Sequence, residues 1–246
     1  MSRIEAVERA ATALRDLAVD LELTNDELLS VVDFLSEAAR EGELILLADV
    51  LGVSRVVDDQ THSGRGGTAS NVLGPFYLPD APWIDNPGSV VRSPDTGVPL
   101  ALVGTVADRA STKPIKDAIV DIWQADGSGR YSNESSDVDR WHLRGRQRTG
   151  SDGRYRIDTV SPLHYTVKHD GPVGRLLAAM GRHPWRPAHV HVRVTADGYR
   201  DLVTQLYPAG GPYLDGDTIT GVKDSLVVPV VDGVLRFEID LDPSKG

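Results

Sequence analysis

The sequence predicts a mainly β fold, an antiparallel β-sandwich domain preceded by an N-terminal helical segment. Before about residue 60, apolar residues recur every three or four positions, which is the period of a helix. From residue 100 onward, short apolar runs alternate with turn signals, which is typical of a sandwich. Between these zones, residues 78–98 are dense in Pro, Gly and Asp and predict an extended connector. We therefore expect a helical linker and dimerisation segment over residues 1–70 and a sandwich domain over residues 71–246.

Two helices and a third apolar piece are predicted in the first segment. The first helical stripe consists of Ile4, Val7, Ala11, Leu14, Ala18 and Leu21. Thr24, followed three residues later by Glu27, is a capping-box signature for a second helix that Gly42 ends. A third apolar piece covers residues 44–53. Short helices cannot bury such stripes alone, so they must dock on the rest of the chain or on another subunit.

Seven strands are predicted in the second segment. They cover residues 100–106, 119–123, 155–159, 190–195, 202–207, 225–231 and 234–241. The last two flank Asp232-Gly233, a dipeptide that tolerates the positive φ angles of a tight hairpin. One short helix, over residues 173–180, interrupts the strands.

Composition excludes several functional classes. The net charge of -10 argues against a general nucleic-acid or anionic-membrane surface, which needs a basic field. No apolar run is long enough to cross a bilayer and no export signal is visible, so we expect a cytoplasmic protein. The chain has no cysteine, so any metal must rest on nitrogen and oxygen ligands.

The most informative stretch of the chain is Arg186-Pro187-Ala188-His189-Val190-His191. Strand side chains alternate between faces, so His189 and His191 point the same way and suit one metal ion. A hydrogen-bonded histidine pair on a solvated strand is the alternative. Tyr131 and Tyr165 stand just beyond predicted strand ends. Taken alone, each is more simply explained as a core or rim residue than as a metal ligand. Residue patterns by themselves predict no more than a His-based metal site on a β-sandwich.

Several motifs occur in order along the chain and together resemble the intradiol ring-cleavage dioxygenases. They are Gly129-Arg130-Tyr131-Ser132, Asp152-Gly153-Arg154-Tyr155, the stretch from Gly181 to His191, and Thr204-Gln205. Other segments resemble the hydroxyquinol-cleaving branch of that family, and the likeness covers nearly the whole chain. These segments are Val72-Leu73-Gly74-Pro75-Phe76-Tyr77, the stretch from Asp170 to Leu177, Tyr213-Leu214-Asp215, and the stretch from Gly221 to Leu226.

The resemblance implies a non-haem Fe(III) cofactor bound by Tyr131, Tyr165, His189 and His191. Ferric iron is a hard ion that phenolate oxygens suit, and two phenolates with one hydroxide balance its three charges. The resemblance further implies three catalytic roles. Tyr165 leaves the iron and acts as a base, Arg186 stabilises negative charge on the ring, and Gln205 is a hydrogen-bond partner of Arg186 or of substrate.

The resemblance also places a substrate pocket between the helical segment and the sandwich. Its expected lining consists of Leu46, Asp49, Val72, Leu73, Gly74, Pro75, Phe76, Val167, Lys168 and Ile219. Asp49 would accept a hydrogen bond from a third ring hydroxyl, unless it is an exposed helix aspartate. The residues after Tyr165 depart from the hydroxyquinol pattern. There Lys168 places a cation at the expected pocket mouth, where it would attract an anionic catechol or merely reach solvent.

These expectations define an Fe(III)-dependent enzyme that opens a catecholic ring with O2. The first candidate substrate is hydroxyquinol (benzene-1,2,4-triol), giving maleylacetate or its tautomer 3-hydroxy-cis,cis-muconate. Catechol or a substituted catechol, which includes anionic ones, is the alternative and would give a cis,cis-muconate, because Thr204-Gln205 is closer to the catechol branch. A metal-binding β-sandwich carrier module is the non-enzyme alternative. The resemblance also implies a homodimer formed through the N-terminal helices, with a lipid bound between them.

Overall fold

The computed structural model describes residues 2–244, which form five α-helices and thirteen β-strands. The helices are α1 (Arg3–Asp20), α2 (Asn25–Arg40), α3 (Leu44–Val50), α4 (Val53–Thr61) and α5 (Pro172–Ala179). The strands are β1 (Gly88–Ser89), β2 (Pro99–Asp108), β3 (Ile119–Gln124), β4 (Arg144–Arg148), β5 (Arg154–Val160), β6 (Tyr165–Thr166), β7 (Trp185–Arg186), β8 (Val190–Thr195), β9 (Leu202–Pro208), β10 (Val227–Val228), β11 (Val230–Val231), β12 (Val234–Arg236) and β13 (Ile239–Leu241). Across the same residues, no helix is both long and apolar enough to cross a membrane.

The first two helices begin as the sequence predicts, but they leave their apolar stripes uncovered. The capping box of Thr24 and Glu27 is confirmed, and a second box forms between Ser2 and Glu5. Helix α1 buries none of its residues and α2 buries only Ala38. The stripe of α1 therefore does not dock on the rest of the described chain, and α2 docks only through its C-terminal half, where Phe34 packs on α3 and α5.

The third apolar piece is not one element, because Gly52 divides it. Gly52 has a φ of 75°, a left-handed conformation that ends α3 and precedes α4. Leu47 and Val50 of α3 pack with Val173 and Leu177 of α5 in a small cluster of buried residues. This cluster fixes the helical segment against the β-rich part of the chain, next to the cavity described below.

Two large sheets share one hydrophobic core. One sheet has the order β1-β5-β2-β12-β11, with β13 also pairing with β2, and the other has the order β10-β9-β8-β3-β4. Strands β6 and β7 form a separate ribbon. The core draws buried side chains from both sheets, among them Leu102, Ile157, Leu235, Val120, Val192 and Leu206. The two large sheets therefore pack against each other through this core.

The prediction of a mainly β, antiparallel sandwich is confirmed only in part. The chain is 28% helical and 25% strand, so helix is as abundant as strand. Within residues 2–244 four strand pairings are parallel: β1 with β5, β10 with β9, and β12 and β13 with β2. Segments joined by long connections, unlike hairpin strands, are not forced to run antiparallel.

Two predicted strands are shorter than expected, and β1, β4, β6 and β7 were not predicted. Residues 225–231 begin in a 3-10 turn and then form β10 and β11, which Pro229 separates. Residues 234–241 are broken at Phe237 and Glu238. The hairpin at Asp232-Gly233 is confirmed, with φ of 50° and 73° and Val231 paired with Val234. Strand β4, of sequence RGRQR, was missed because four of its five residues are polar.

Candidate active site

Strand pairing brings the chemically important side chains to one place. In the β6–β7 ribbon, Tyr165 lies directly opposite Arg186. On β8, His191 lies opposite Trp123 of β3 on one side and opposite Gln205 of β9 on the other. His189 stands one residue before β8, and Tyr131 precedes a 3-10 turn at Ser132–Glu134. The Glu134 carboxylate accepts a hydrogen bond from the backbone N–H of Tyr131 at 2.9 Å, which fixes the start of that turn.

Four of the predicted side chains converge on one buried point. The Nε2 atoms of His189 and His191 are 3.2 Å apart, and Tyr131 Oη lies 3.5 Å from His189 Nε2. The Tyr165 ring is 5.5 Å from the Tyr131 ring and 5.6 Å from the His189 ring, measured between centroids. All four residues are at least nine-tenths buried.

Burial favours the neutral form of both histidines, and their Nε2 atoms face each other. Burial lowers the pKa of His189 and of His191 well below the ordinary value. His189 Nδ1 is 2.8 Å from the carbonyl of Pro187, so the tautomer that donates there leaves the Nε2 lone pair free. His191 Nδ1 has no partner among the described residues, while its ring stacks on Trp123 at 4.7 Å. Two neutral imidazoles held this way are ready-made nitrogen ligands.

The spacing of these atoms fits ligands around a single metal ion. Two ligands at about 2.1 Å from one ion are about 3.0 Å apart at a right angle and about 3.4 Å apart at a tetrahedral angle. The 3.2 Å separation lies within that range, and the 3.5 Å separation exceeds it by only about 0.1 Å. In residues 2–244 no three His, Cys, Asp or Glu side chains group to hold a metal. A metal here therefore depends on the two tyrosines, whose hard oxygens suit ferric iron.

Tyr131 needs a nearby cation to ionise. Burial raises the pKa of Tyr131 well above its ordinary value, and the neighbouring Tyr165 raises it further. The ring is enclosed, because Phe76 stacks on it with centroids 4.2 Å apart and an interplanar angle of 17°. A highly charged metal ion at the convergence point would reverse the preference for the neutral phenol.

Arg186 is fixed at the same point by contacts to all three of its nitrogens. Nη1 is 3.3 Å from Tyr165 Oη and 3.1 Å from His189 Nε2. Nη2 donates to Gln205 Oε1 at 2.8 Å, so the two side chains contact each other. Nε and Nη2 also bind the two carboxylate oxygens of Asp217, at 3.1 Å and 3.2 Å. Burial alone would lower the pKa of Arg186, but the Asp217 carboxylate raises this pKa well above its ordinary value. The guanidinium therefore stays charged.

A cavity of about 630 Å³ opens beside Tyr165 and Arg186. Eight of the ten predicted lining residues border it: Leu46, Asp49, Gly74, Pro75, Phe76, Val167, Lys168 and Ile219. Val72 and Leu73 do not. The backbone carbonyl of Val72 instead accepts a hydrogen bond from Gln205 Nε2 at 2.8 Å, and the Leu73 side chain is 41% exposed. The alternative of an exposed Asp49 is wrong, because this residue is only 8% exposed.

The cation expected at the cavity mouth is not free. Lys168 Nζ lies 2.9 Å from Glu43 Oε1 and 3.3 Å from Glu41 Oε2. The cavity lining also includes Asp49, Glu134 and Asp170. Acidic groups therefore outnumber basic groups around the cavity, which opposes the attraction of an anionic substrate.

Sequence reasoning missed several polar residues that surround this site. Tyr207 Oη donates to Gln205 Oε1 at 2.7 Å, and Asn71 Nδ2 donates to Tyr207 Oη at 3.3 Å and to the carbonyl of Gly221 at 2.7 Å. Asp217 was also missed. The alternation of β9 places Tyr207 on the same face as Gln205, so that residue was within reach of sequence reasoning. Asp217 was not, because it lies in an irregular segment far from Arg186 in sequence.

The chain is similar to known proteins over nearly its whole length. A family described as dioxygenase matches residues 72–234, and one described as catechol dioxygenase N terminus matches residues 3–68. The chain is 38% identical to catechol 1,2-dioxygenase of Candida albicans, over 94% of this chain and 82% of that protein. It is 36% identical to chlorocatechol 1,2-dioxygenase of Rhodococcus opacus, over 92% of this chain and 89% of that protein. The structure of hydroxyquinol 1,2-dioxygenase from Pseudomonas putida DLL-E4 superposes with a TM-score of 0.90 at 34% identity, covering 98% of this chain and 91% of that one.

These matches, which together cover residues 3–68 and 72–234, define the class of this protein as an oxygenase. The chain belongs to the intradiol ring-cleavage dioxygenase family and is an enzyme of that class.

Proposed function

We propose that this enzyme cleaves hydroxyquinol with O2 between its two adjacent hydroxyl-bearing carbons, giving maleylacetate or its tautomer 3-hydroxy-cis,cis-muconate. We further propose Fe(III) as its cofactor, with Tyr131, Tyr165, His189 and His191 as the ligands. The observation that carries the proposal is the convergence of these four buried side chains beside a cavity large enough for a single aromatic ring. Bound ferric iron would acidify the ring hydroxyls and make the chelated ring electron-rich enough to react with O2.

Tyr165 is suited to accept a proton from the substrate. Among the two tyrosines it is the one that lines the cavity, whereas Tyr131 lies behind Phe76 and is 1% exposed. A phenolate at Tyr165 would therefore take up a proton from the entering hydroxyl and turn away as a neutral phenol. Arg186 Nη1, 3.3 Å from Tyr165 Oη, is in reach of the oxygen in either state.

Arg186 is suited to stabilise negative charge on the ring. Its guanidinium lines the cavity and is 3% exposed, so its field acts in a medium of low dielectric. Asp217 and Gln205 hold it in place before substrate enters. Stabilisation of this kind requires no reorganisation during the reaction.

Asp49 supports hydroxyquinol as the substrate. Its carboxylate lines the cavity and is 8% exposed. Burial raises the pKa of Asp49, so a further hydrogen-bond donor at this carboxylate would be favourable. A third ring hydroxyl supplies such a donor, whereas catechol leaves the carboxylate short of one. An anionic catechol is disfavoured, since Lys168 is already paired with Glu41 and Glu43.

The test is to load the purified protein with iron, record its visible spectrum, and add substrates under nitrogen and then in air. Ferric tyrosinate is intensely coloured, so we expect a red to burgundy protein whose band shifts on adding hydroxyquinol. We expect kcat/KM for hydroxyquinol to exceed that for catechol, and Asp49→Asn to reduce this preference by about tenfold or more. Asp170→Asn, at another acidic position of the lining, should leave the preference unchanged.

Three outcomes would contradict the proposal at different levels. A colourless iron-loaded protein would remove the tyrosine ligands, and tight zinc binding without turnover would favour a carrier module. A coloured enzyme that prefers catechol, with a preference that Asp49→Asn does not alter, would keep the iron site and reject hydroxyquinol.

We also propose that residues 1–70 act as a linker and dimerisation segment, with a lipid held between two copies. The support is the exposed apolar stripe of α1 and α2, in which Leu14 is 64% and Leu28 51% exposed. Such faces fit a symmetric helical interface. Sedimentation of the protein before and after lipid extraction tests both parts.

A further inference from the structure

Arg144 on β4 is a buried cation whose hydrogen-bond partners are all uncharged. It is 1% exposed. Its Nε donates to Ser132 Oγ at 2.8 Å, Nη2 to Asn133 Oδ1 at 2.6 Å, and Nη1 to the Phe76 carbonyl at 2.6 Å. Within residues 2–244 no carboxylate forms an ion pair with it. A buried charge with neutral partners alone is costly, so a counter-charge is required nearby.

All three partners of Arg144 adjoin Tyr131. Ser132 and Asn133 are the two residues that follow Tyr131 in the chain. Phe76 carries the ring that stacks on the Tyr131 ring. The guanidinium carbon itself lies 5.8 Å from the centroid of the Tyr131 ring. Arg144 thus bonds the two residues that follow Tyr131 and the carbonyl of Phe76, whose ring covers the Tyr131 ring.

We infer that Arg144 is the positioning residue for Tyr131 and the buried counter-charge of its phenolate. The inference rests on the proposed iron site, in which Tyr131 is an anionic ligand. The carboxylates of Asp121 and Glu134 already attract this guanidinium, and a phenolate at Tyr131 adds to their stabilisation whereas a neutral phenol does not. Burial lowers the pKa of Arg144 to about 10, so the guanidinium remains charged at neutral pH. The iron site and Arg144 therefore favour the same ionised form of Tyr131.

The test is Arg144→Met, which removes the charge and the three hydrogen bonds at similar volume. A positive charge beside a phenolate lowers the energy of its filled orbitals. Without it, charge transfer to iron needs less energy and the visible band should move to longer wavelength. We also expect iron to dissociate about 10–100-fold faster, as is usual when a group that orients a ligand is lost. Stopped-flow removal of iron by a chelator measures that rate without relying on turnover.

Arg146→Met is the matched control. Arg146 lies two residues further along β4 on the same face, but it binds the Ala81 carbonyl and Asp80 and lies over Trp83. This variant should keep the wild-type band and the wild-type rate of iron loss. An Arg144→Met protein that is folded and matches the wild type in both readouts would overturn the inference.

Two further variants keep the test decisive if Arg144→Met does not fold. Arg144→Gln is neutral but retains an amide able to bond the Phe76 carbonyl, and it should show the same band shift. Arg144→Lys keeps the positive charge but cannot make all three hydrogen bonds of the guanidinium. The visible band should therefore keep its wavelength while iron dissociates faster. A shifted band in Arg144→Lys would exclude the role of charge. If the wild-type protein itself shows no tyrosinate band, the proposed iron site fails, which is a distinct result.

Discussion

At the scale of single residues, the site depends on how completely Arg186 is restrained. Asp217, Gln205 and Tyr165 bind its three nitrogens from different directions. Gly221 contributes by lacking a side chain, because a Cβ there would lie 3.0 Å from Asp217 Oδ2 and 3.2 Å from Arg186 Nη2. The guanidinium therefore has one orientation available, which is the condition for electrostatic stabilisation without reorganisation.

We predict that Arg186→Ala lowers kcat by about 10²–10³, the usual cost of losing one preorganised donor. Steady-state kinetics on the iron-loaded variant measures the change. Arg182→Ala is the control, since the half-buried Arg182 donates to the carbonyls of Val50 and Thr218, in a separate cleft. That variant should lose stability and keep its turnover number. An Arg186→Ala enzyme with unchanged kcat would remove Arg186 from the reaction.

At the scale of secondary structure, sequence patterns predicted the regular elements and missed those held by polar contacts. The β8 and β9 strands follow from alternating apolar residues, and this alternation was enough to place His191. Strand β4 lacks that pattern, because buried Arg144 and Gln147 bond to backbone carbonyls instead of packing. The β6–β7 ribbon has only two residues per strand, too few for any periodicity. The four converging side chains were thus accessible from motifs, whereas the supporting residues Arg144 and Asp217 were not.

One carboxylate joins three elements around the cavity mouth. Glu43 precedes α3, and its Oε2 accepts a hydrogen bond from the N–H of Val173 in the first turn of α5 at 2.9 Å. Its Oε1 pairs with Lys168, three residues after Tyr165. Gly171 allows this approach, since any Cβ at that position would clash with the carboxylate. A negative charge at a helix N-terminus is stabilising, and more so when buried.

We predict that Glu43→Gln lowers the free energy of unfolding by about 1–2 kcal/mol, because the helix α5 terminus and Lys168 lose the charge that faces them. Glu41→Gln provides the comparison, since it removes the other partner of Lys168, while Glu41 lies at the C-terminal end of α2 and does not bond the N-terminus of α5. That change should cost less than about 0.5 kcal/mol. Urea unfolding of both variants measures the difference, and equal losses would assign the effect to the ion pair alone.

At the scale of the whole molecule, charge is distributed in a way that bears on substrate choice. The chain carries a net charge of -10, and the cavity lining contains Glu41, Glu43, Asp49, Glu134 and Asp170 against Lys168 and Arg186. A neutral catechol enters such a cavity without opposition, whereas an anion is repelled on approach. The same field favours the release of a dicarboxylate product.

Ionic strength should therefore change the selectivity of the enzyme. We predict that kcat/KM for a carboxylated catechol is lower than kcat/KM for catechol itself. The ratio of the first value to the second should rise severalfold with added salt. The range is about 0.01 M to about 0.1 M, over which the screening length falls from about 30 Å to about 10 Å. The ratio of hydroxyquinol to catechol should stay constant, because both are neutral. Lys168→Gln should lower the kcat/KM of the carboxylated catechol relative to catechol further, since Glu41 and Glu43 would then lack a counter-charge. A ratio that falls with salt would mean that a cation attracts the substrate despite these carboxylates, and an anionic catechol would then be the better candidate.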